Sequence, residues 1–356
     1  MPLRCGMDSR HKQHHCGIYR TAPSHTPTGH MPRSCVQGGH RNQSGRPGVR
    51  TAVNKRLLNR LRSIPLIGLP AWVLLSGCTG LAVVDALTPT DGYTVESGIA
   101  YGPGPRQKLD VYRPDPPVSN APVVVFFYGG GWQGGDRARY RFVAQALTNR
   151  GNVVVVPDYR VYPQVRFPAF VEDGAAAVAW TATHLTPTGE EPLLVMGHSA
   201  GAHIAAMLIT DTRYLETQGV DPERISGFIG LAGPYDFLPL DPGYLRTLFG
   251  PEDRYPDSQP VNFVSGEEPP VLLIHGSSDT TVWPRNSVRF AQRLSDRGAQ
   301  VDLKLYPDVG HGPLVGALAP RFRDLAPTLD DVDAFLDGIT RGETRTVAGT
   351  PGFTHH

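Results

Sequence analysis

Residues 193–209 read LLVMGHSAGAHIAAMLI, and the fold is decided in this stretch. Leu193–Met196 is a short apolar run of the kind that forms a strand covered on both faces, and a helix-forming run follows over 200–210. Between them lies Gly197-His198-Ser199-Ala200-Gly201. A G-x-S-x-G string carries meaning only in such a place, where a strained strand-to-helix turn lifts the serine oxygen clear of the chain. Gly197 and Gly201 allow that turn. Ala200, Gly201, Ala202, Ala205 and Ala206 let the helix approach the sheet closely, and its N-terminal amides point to where negative charge would gather. Ser199 is the candidate nucleophile.

Working outward, the same alternation recurs. VVVFF (123–127), VVVV (153–156), FIGLA (228–232) and VLLI (271–274) read as further buried strands. Helical stretches are expected at 137–149, 168–184 and 285–297. Strands alternating with helices give an α/β fold, a mostly parallel central sheet with helices on both faces. Function in such sheets gathers in the loops after the carboxyl ends of strands. Residues 237–267, rich in Pro, Asp and Gly, break the alternation and are expected to form a small cap.

Each remaining motif follows one of these strands. Tyr128-Gly129-Gly130-Gly131-Trp132 succeeds VVVFF, and its glycines free the backbone to aim amides at a ligand. No Gly-Lys-Ser/Thr string follows, which removes a phosphate-binding P-loop. Asp279 lies five residues past VLLI, and His311 lies in LKLYPDVGHG after the last strand. A serine, a histidine to take its proton and a carboxylate to orient the histidine make a nucleophilic triad. Asp308 is close to His311 in sequence but shares its short loop and would struggle to reach behind the ring. His198 and His203 read as packing or hydrogen-bonding residues, His275 as ordering the Asp279 loop, and His184 as a surface helix end.

Together these segments resemble the esterase/lipase branch of the α/β-hydrolases, in particular BD-FAE-type and hormone-sensitive-lipase-like carboxylesterases and kynurenine formamidase. The likeness runs through YGPGPRQKLDVYRP (101–114), YGGGW (128–132), VVPDYRVYP (155–163), FPAFVEDGAAAVAW (167–180), GHSAG (197–201), HGSSDTTV (275–282) and GHG (310–312). The order Ser199, Asp279, His311 is that of α/β-hydrolases. The resemblance implies a carboxylesterase-type serine hydrolase with Gly130, Gly131 and Ala200 as oxyanion donors and no metal or cofactor. One departure is Tyr128, where relatives commonly place histidine; the glycine amides do not depend on that side chain. An amidase or formamidase on the same scaffold is the enzymatic alternative. A catalytically inactive envelope lipoprotein is the alternative from another class.

Over all 356 residues the net charge is +1, which gives no reason to expect a nucleic-acid partner. That figure joins two unlike parts: residues 1–62 carry 12 Lys+Arg and the single acid Asp8, whereas the remainder carries 22 Lys+Arg and 32 Asp+Glu. Residues 55–62 (KRLLNRLR) precede a twelve-residue apolar run, 64–75, too short to span a bilayer, and the string Leu75-Ser76-Gly77-Cys78. This resembles a bacterial lipoprotein signal with Cys78 as the lipidated residue, implying a membrane partner through a lipid anchor, in the outer membrane facing the periplasm. The expected partition is 1–52 disordered or upstream of the true start, 53–78 signal, 79–92 tether, 93–340 hydrolase domain and 341–356 flexible tail. The expected ligand is a small-molecule ester with a short acyl chain. The sequence says nothing about oligomeric state.

Overall fold

A computed structural model describes residues 78–241 and 243–342. The expected leader (1–52), the signal core through residue 77 and the tail beyond 342 lie outside the described residues.

Eight strands form one sheet: β1 (Tyr93–Ala100), β2 (Lys108–Pro114), β3 (Val123–Phe127), β4 (Val153–Pro157), β5 (Leu193–His198), β6 (Ile225–Leu231), β7 (Val271–Gly276) and β8 (Val301–Tyr306). Their order is β1-β2-β4-β3-β5-β6-β7-β8. Pairing is antiparallel for β1–β2 and β2–β4 and parallel across the other five pairs. Every residue of β3, β5 and β7 is buried, as expected of parallel strands covered on both faces, which is why these runs are continuously apolar.

The main helices are α1 (Cys78–Ala86), α2 (Arg141–Thr148), α3 (Ala169–His184), α4 (Ala200–Thr210), α5 (Arg213–Thr217), α6 (Tyr244–Phe249), α7 (Arg285–Asp296), α8 (His311–Gly316) and α9 (Thr328–Thr340). All eleven residues of α4 are buried. The expected helix at 137–149 divides into a 3-10 turn, Arg137–Tyr140, capped by the Asp136 side chain, and α2. The expected cap contains α6 and two 3-10 turns at Glu252–Ser258 and Pro260–Asn262.

The stretch expected to be a tether, 79–92, contains a helix. Helix α1 occupies 78–86, Val84 is buried, and Arg141 bonds both the carboxylate and the carbonyl of Asp85. An apolar residue and an ion pair thus attach this segment to the start of α2. No described helix is long and apolar enough to cross a membrane.

Candidate active site

Ser199 stands between β5 and α4 with φ 56° and ψ −124°. A non-glycine residue in this region carries about 1–3 kcal/mol of backbone strain, which surrounding contacts must impose. Here they are steric and close. A Cβ on Gly201 would lie 2.0 Å from the Phe127 carbonyl oxygen, and one on Gly197 would lie 2.4 Å from Gly201 carbonyl carbon. Only glycines let α4 descend this far onto β3 and turn the chain so sharply. The Ser199 amide donates to Leu231 O (2.9 Å) and its carbonyl accepts from His203 N (3.2 Å). Because a trans peptide sets its N–H opposite its C=O, the Ala200 amide points back along the helix axis, past the serine.

The glycine loop applies the same rule. Gly130 O accepts from Gln133 N (3.1 Å) and Gly134 N (3.2 Å), so the N–H of Gly131, in the same peptide, faces the other way. Positive φ at Gly130 (146°) and Gly131 (59°) makes this reversal possible. Among the described residues no acceptor takes the amide hydrogens of Gly130, Gly131 or Ala200. Donors held open in this way are what an oxyanion hole requires.

Side chains from distant positions hold the loop at both ends. Tyr159 Oη donates to Tyr128 O (2.7 Å), and the Tyr128 hydroxyl donates to Asp158 Oδ1 (2.7 Å) while accepting from Arg106 (2.8 Å). Arg106 also reaches Gly135 O (3.0 Å) and Tyr159 O (2.8 Å). Asp158 accepts the Arg137 amide (2.9 Å) and pairs with its guanidinium, which also bonds Asp110 (2.7 Å). Burial and the neighbouring Asp158 drive the Tyr128 pKa far above its ordinary value, so the phenol remains a donor. From the cap, Tyr244 Oη donates to Gly131 O (3.1 Å). Trp132 is buried with φ 56°, its ring edge-on to His203 (5.2 Å) and Phe249 (5.0 Å). Sequence reading missed Arg106, Asp158, Arg137 and Tyr244. The strings YGPGPRQ and VVPDYR carried the first two, but nothing in them tells which partner they meet.

Asp279 and His311 are brought together. His311 Nδ1 bonds Asp279 Oδ2 at 2.7 Å, and Asp279 Oδ1 accepts the amides of Thr281 (2.8 Å) and Val282 (2.9 Å). His275 Nε2 lies 3.2 Å from Oδ2 and 2.8 Å from Val282 O, with its Nδ1 on Ser287 Oγ (2.7 Å), so it orders the acid loop. Burial pushes the Asp279 carboxyl up, but hydrogen bonds from His275, His311 and Val282 outweigh it and hold the group well below the usual carboxylate range. An ionised Asp279 accepts a hydrogen bond from the Nδ1–H of His311, which fixes the proton on Nδ1 and leaves Nε2 as the free base.

His311 is the first residue of α8 rather than part of an open loop. Asp308 is exposed and its amide bonds Ser277 Oγ, so Asp279 alone of the two carboxylates engages the imidazole. Ser199 Oγ is not hydrogen-bonded to His311; in ligand-free enzymes this contact is commonly long and tightens when substrate binds. The two elements do meet, since the ring of His198, next to the serine, lies 4.7 Å from that of His311. His203 bonds Ser258 O (2.8 Å) inside the aromatic cluster, and His184 is exposed at the end of α3, stacked on Trp180.

Known proteins resemble this chain in sequence and in fold. Residues 109–294 match the BD-FAE family, a span that includes Ser199 and Asp279 and ends before His311. Esterase LipC of Mycobacterium tuberculosis is 31% identical, over 71% of this chain and 67% of that protein. An isoprenylcysteine alpha-carbonyl methylesterase of Arabidopsis thaliana is 30% identical over 69% of this chain, and the chain spans about 64% of the length of the plant methylesterases it matches. Among solved structures, an esterase B from Lactobacillus rhamnosus inhibited by a tributyrin phosphonate superposes with a TM-score of 0.63 at 20% identity, covering 82% of this chain and 98% of that one. The strained serine between β5 and α4, the open glycine amides and the His311–Asp279 bond are thus set in a chain that belongs to the BD-FAE family of the α/β-hydrolase fold.

Proposed function

We propose that the protein hydrolyses carboxylic esters through an acyl-enzyme on Ser199. The observation that carries this reading is the Asp279–His311 bond, in which one carboxylate oxygen is fixed by two backbone amides and the other by the imidazole. Ser199 Oγ attacks the ester carbonyl carbon as His311 Nε2 takes its proton. The carbonyl oxygen, now negative, is received by the amides of Gly130, Gly131 and Ala200. Collapse breaks the bond to the alcohol, which leaves with the proton from His311. Water, activated by the same base, releases the acid. Asp279 stays ionised throughout and stabilises the imidazolium.

Ser199→Ala is expected to lower kcat by roughly 10⁴-fold or more with unchanged folding, and Asp279→Asn by about 10⁴-fold. Labelling of wild type but not Ser199→Ala by a fluorophosphonate probe checks the covalent step. A Ser199→Ala protein retaining more than a few per cent of activity refutes it.

A short acyl chain is the favoured substrate. Trp132, Phe237 and Phe249 pack on one another beside the glycine loop, and the cap residues Leu248 and Phe249 are buried in the interior. An acyl chain gains about 0.8 kcal/mol per buried methylene, and aromatic rings already in contact leave little surface for that gain. Across p-nitrophenyl esters kcat/KM should peak between acetate and butyrate; a maximum at decanoate or beyond overturns this. Including a formamide substrate in the panel tests the amidase alternative.

The basic stretch 55–62, the apolar run 64–75 and the LSGC string support lipidation at Cys78 and a periplasm-facing membrane anchor. Expressed in a bacterium from a start near residue 53, the protein should incorporate labelled fatty acid, and Cys78→Ser should abolish it.

A further inference from the structure

His198 is the residue in this site whose placement the hydrolytic mechanism leaves unexplained. It is buried, with 5% of its surface exposed, yet neither ring nitrogen makes a well-formed hydrogen bond, the backbone of His311 being the polar group that approaches it. A neutral imidazole has one donor and one acceptor, and leaving them poorly met in the interior costs free energy that an aliphatic side chain would not incur. The ring is wedged between two parts of the machinery. A Cβ on Gly129, at the root of the glycine loop, would lie 3.0 Å from His198 Nδ1, and the ring of His311 is 4.7 Å away with planes inclined by 40°. The titratable groups facing it are His311 on α8, and Asp279 and His275 at and beyond the end of β7.

Such a polar ring offsets its cost in a state where its neighbour carries charge. His311 becomes an imidazolium while Ser199 Oγ attacks, having taken the serine proton on Nε2. Asp279 then meets the cation at its Nδ1 edge, and its other ring surface faces His198. We propose that His198 is a positioning residue for the general base, whose neutral ring, lying against that of His311, turns its dipole to the imidazolium and stabilises that charged form during acyl transfer. It acts on the imidazolium without touching the substrate. Burial, and then repulsion from His311, hold the His198 pKa well below its ordinary value, so His198 stays neutral when its neighbour is charged.

This inference rests on the triad reading, and its signature differs from the loss of a packing residue. In His198→Leu the imidazolium loses a favourable neighbour. The variant should be slower and more acid-tolerant at once: kcat about threefold to tenfold lower with KM unchanged, and the acidic limb of kcat/KM displaced downward by about half a pH unit. His198→Gln, which keeps a side-chain dipole, should recover most of both. Should His198→Leu fail to fold, His198→Val, suited to a strand end, carries the same expectation. Fluorophosphonate titration gives the concentration of competent sites, so a fall in folded fraction is not read as a fall in kcat. A limb that stays in place or moves upward in the aliphatic variant overturns the proposal, and so does a glutamine variant matching the aliphatic one. His311→Ala, measured alongside, separates the two readings. If it retains activity the triad itself is wrong; if it is inactive while His198→Leu superposes on wild type, only the role of His198 falls.

Discussion

The turn around Ser199 and the loop from Gly129 to Gly135 deliver amides to one point, but they are held there by different forces. The turn is fixed by contact of backbone on backbone: Gly201 against Phe127, Gly197 against Gly201. The loop has a contact of this kind, a Cβ on Gly130 lying 2.3 Å from Gly134 O, but that contact is internal to the loop and does not fix it against the sheet. Its peptides are oriented by hydrogen bonds from Arg106, Asp158, Tyr159 and Tyr244, residues that lie far from it in sequence. Steric fixation fails abruptly when a single atom is added. Polar fixation fails by degrees, because each bond contributes about 1 kcal/mol net and the others remain.

The largest effect should follow from breaking the steric side. Gly201→Ala places a methyl group 2.0 Å from a backbone oxygen that cannot move aside, which exceeds the 1–3 kcal/mol usual for overpacking. Loss of soluble folded protein, or of nearly all activity in what remains, is expected by circular dichroism and assay. On the polar side, Asp158→Asn leaves the Arg137 guanidinium with Asp110 and disturbs both ends of the loop, and should lower kcat about tenfold to a hundredfold at nearly constant KM. Tyr128→Phe removes one donor and one acceptor and should cost about tenfold in kcat. Tyr244→Phe, at a part-exposed bond, should cost only about twofold to fivefold. If Tyr128→Phe proves as damaging as Gly201→Ala, the contrast between the two walls is false.

The smallest effect concerns stability rather than rate. Burial lowers the His203 pKa to about 4. Between that value and the ordinary histidine pKa of about 6.5 the unfolded chain binds a proton that the folded one does not, so stability is complete above about 6.5 and declines as pH falls towards 4. The slope from this group is at most about 1.4 kcal/mol per pH unit. Urea unfolding of His203→Gln should show a weaker pH dependence over this window than wild type.

The same contrast governs what could be read from sequence. Steric fixation leaves local traces: GHSAG and the alanines of α4 are contiguous, and β3, β5 and β7 are continuous apolar runs because both faces are covered. Polar fixation leaves none, since Tyr128 meets Asp158 across 30 residues and Gly131 meets Tyr244 across 113. Strand β1 is not legible because its residues are mostly exposed and YTVESGIA has no apolar run, and α1 is not because the ion pair that holds it reaches Arg141, 56 residues on. Asp279 and His311 were legible because each follows a recognisable strand. That His198 would be buried against the ring of His311 was not, because the two lie 113 residues apart in sequence.

Helix α4 bears on how the molecule would fail. With all eleven residues buried, the element that begins beside Ser199 has no route to local opening. Amide deuterium exchange along Ala202–Thr210 should therefore proceed only through global unfolding, at the slowest rate in the chain, while the Gly130–Gly135 loop exchanges through small excursions. On heating, the serine would keep its place until the whole sheet dissolves, and any earlier loss of turnover would mark the loosening of the opposite wall.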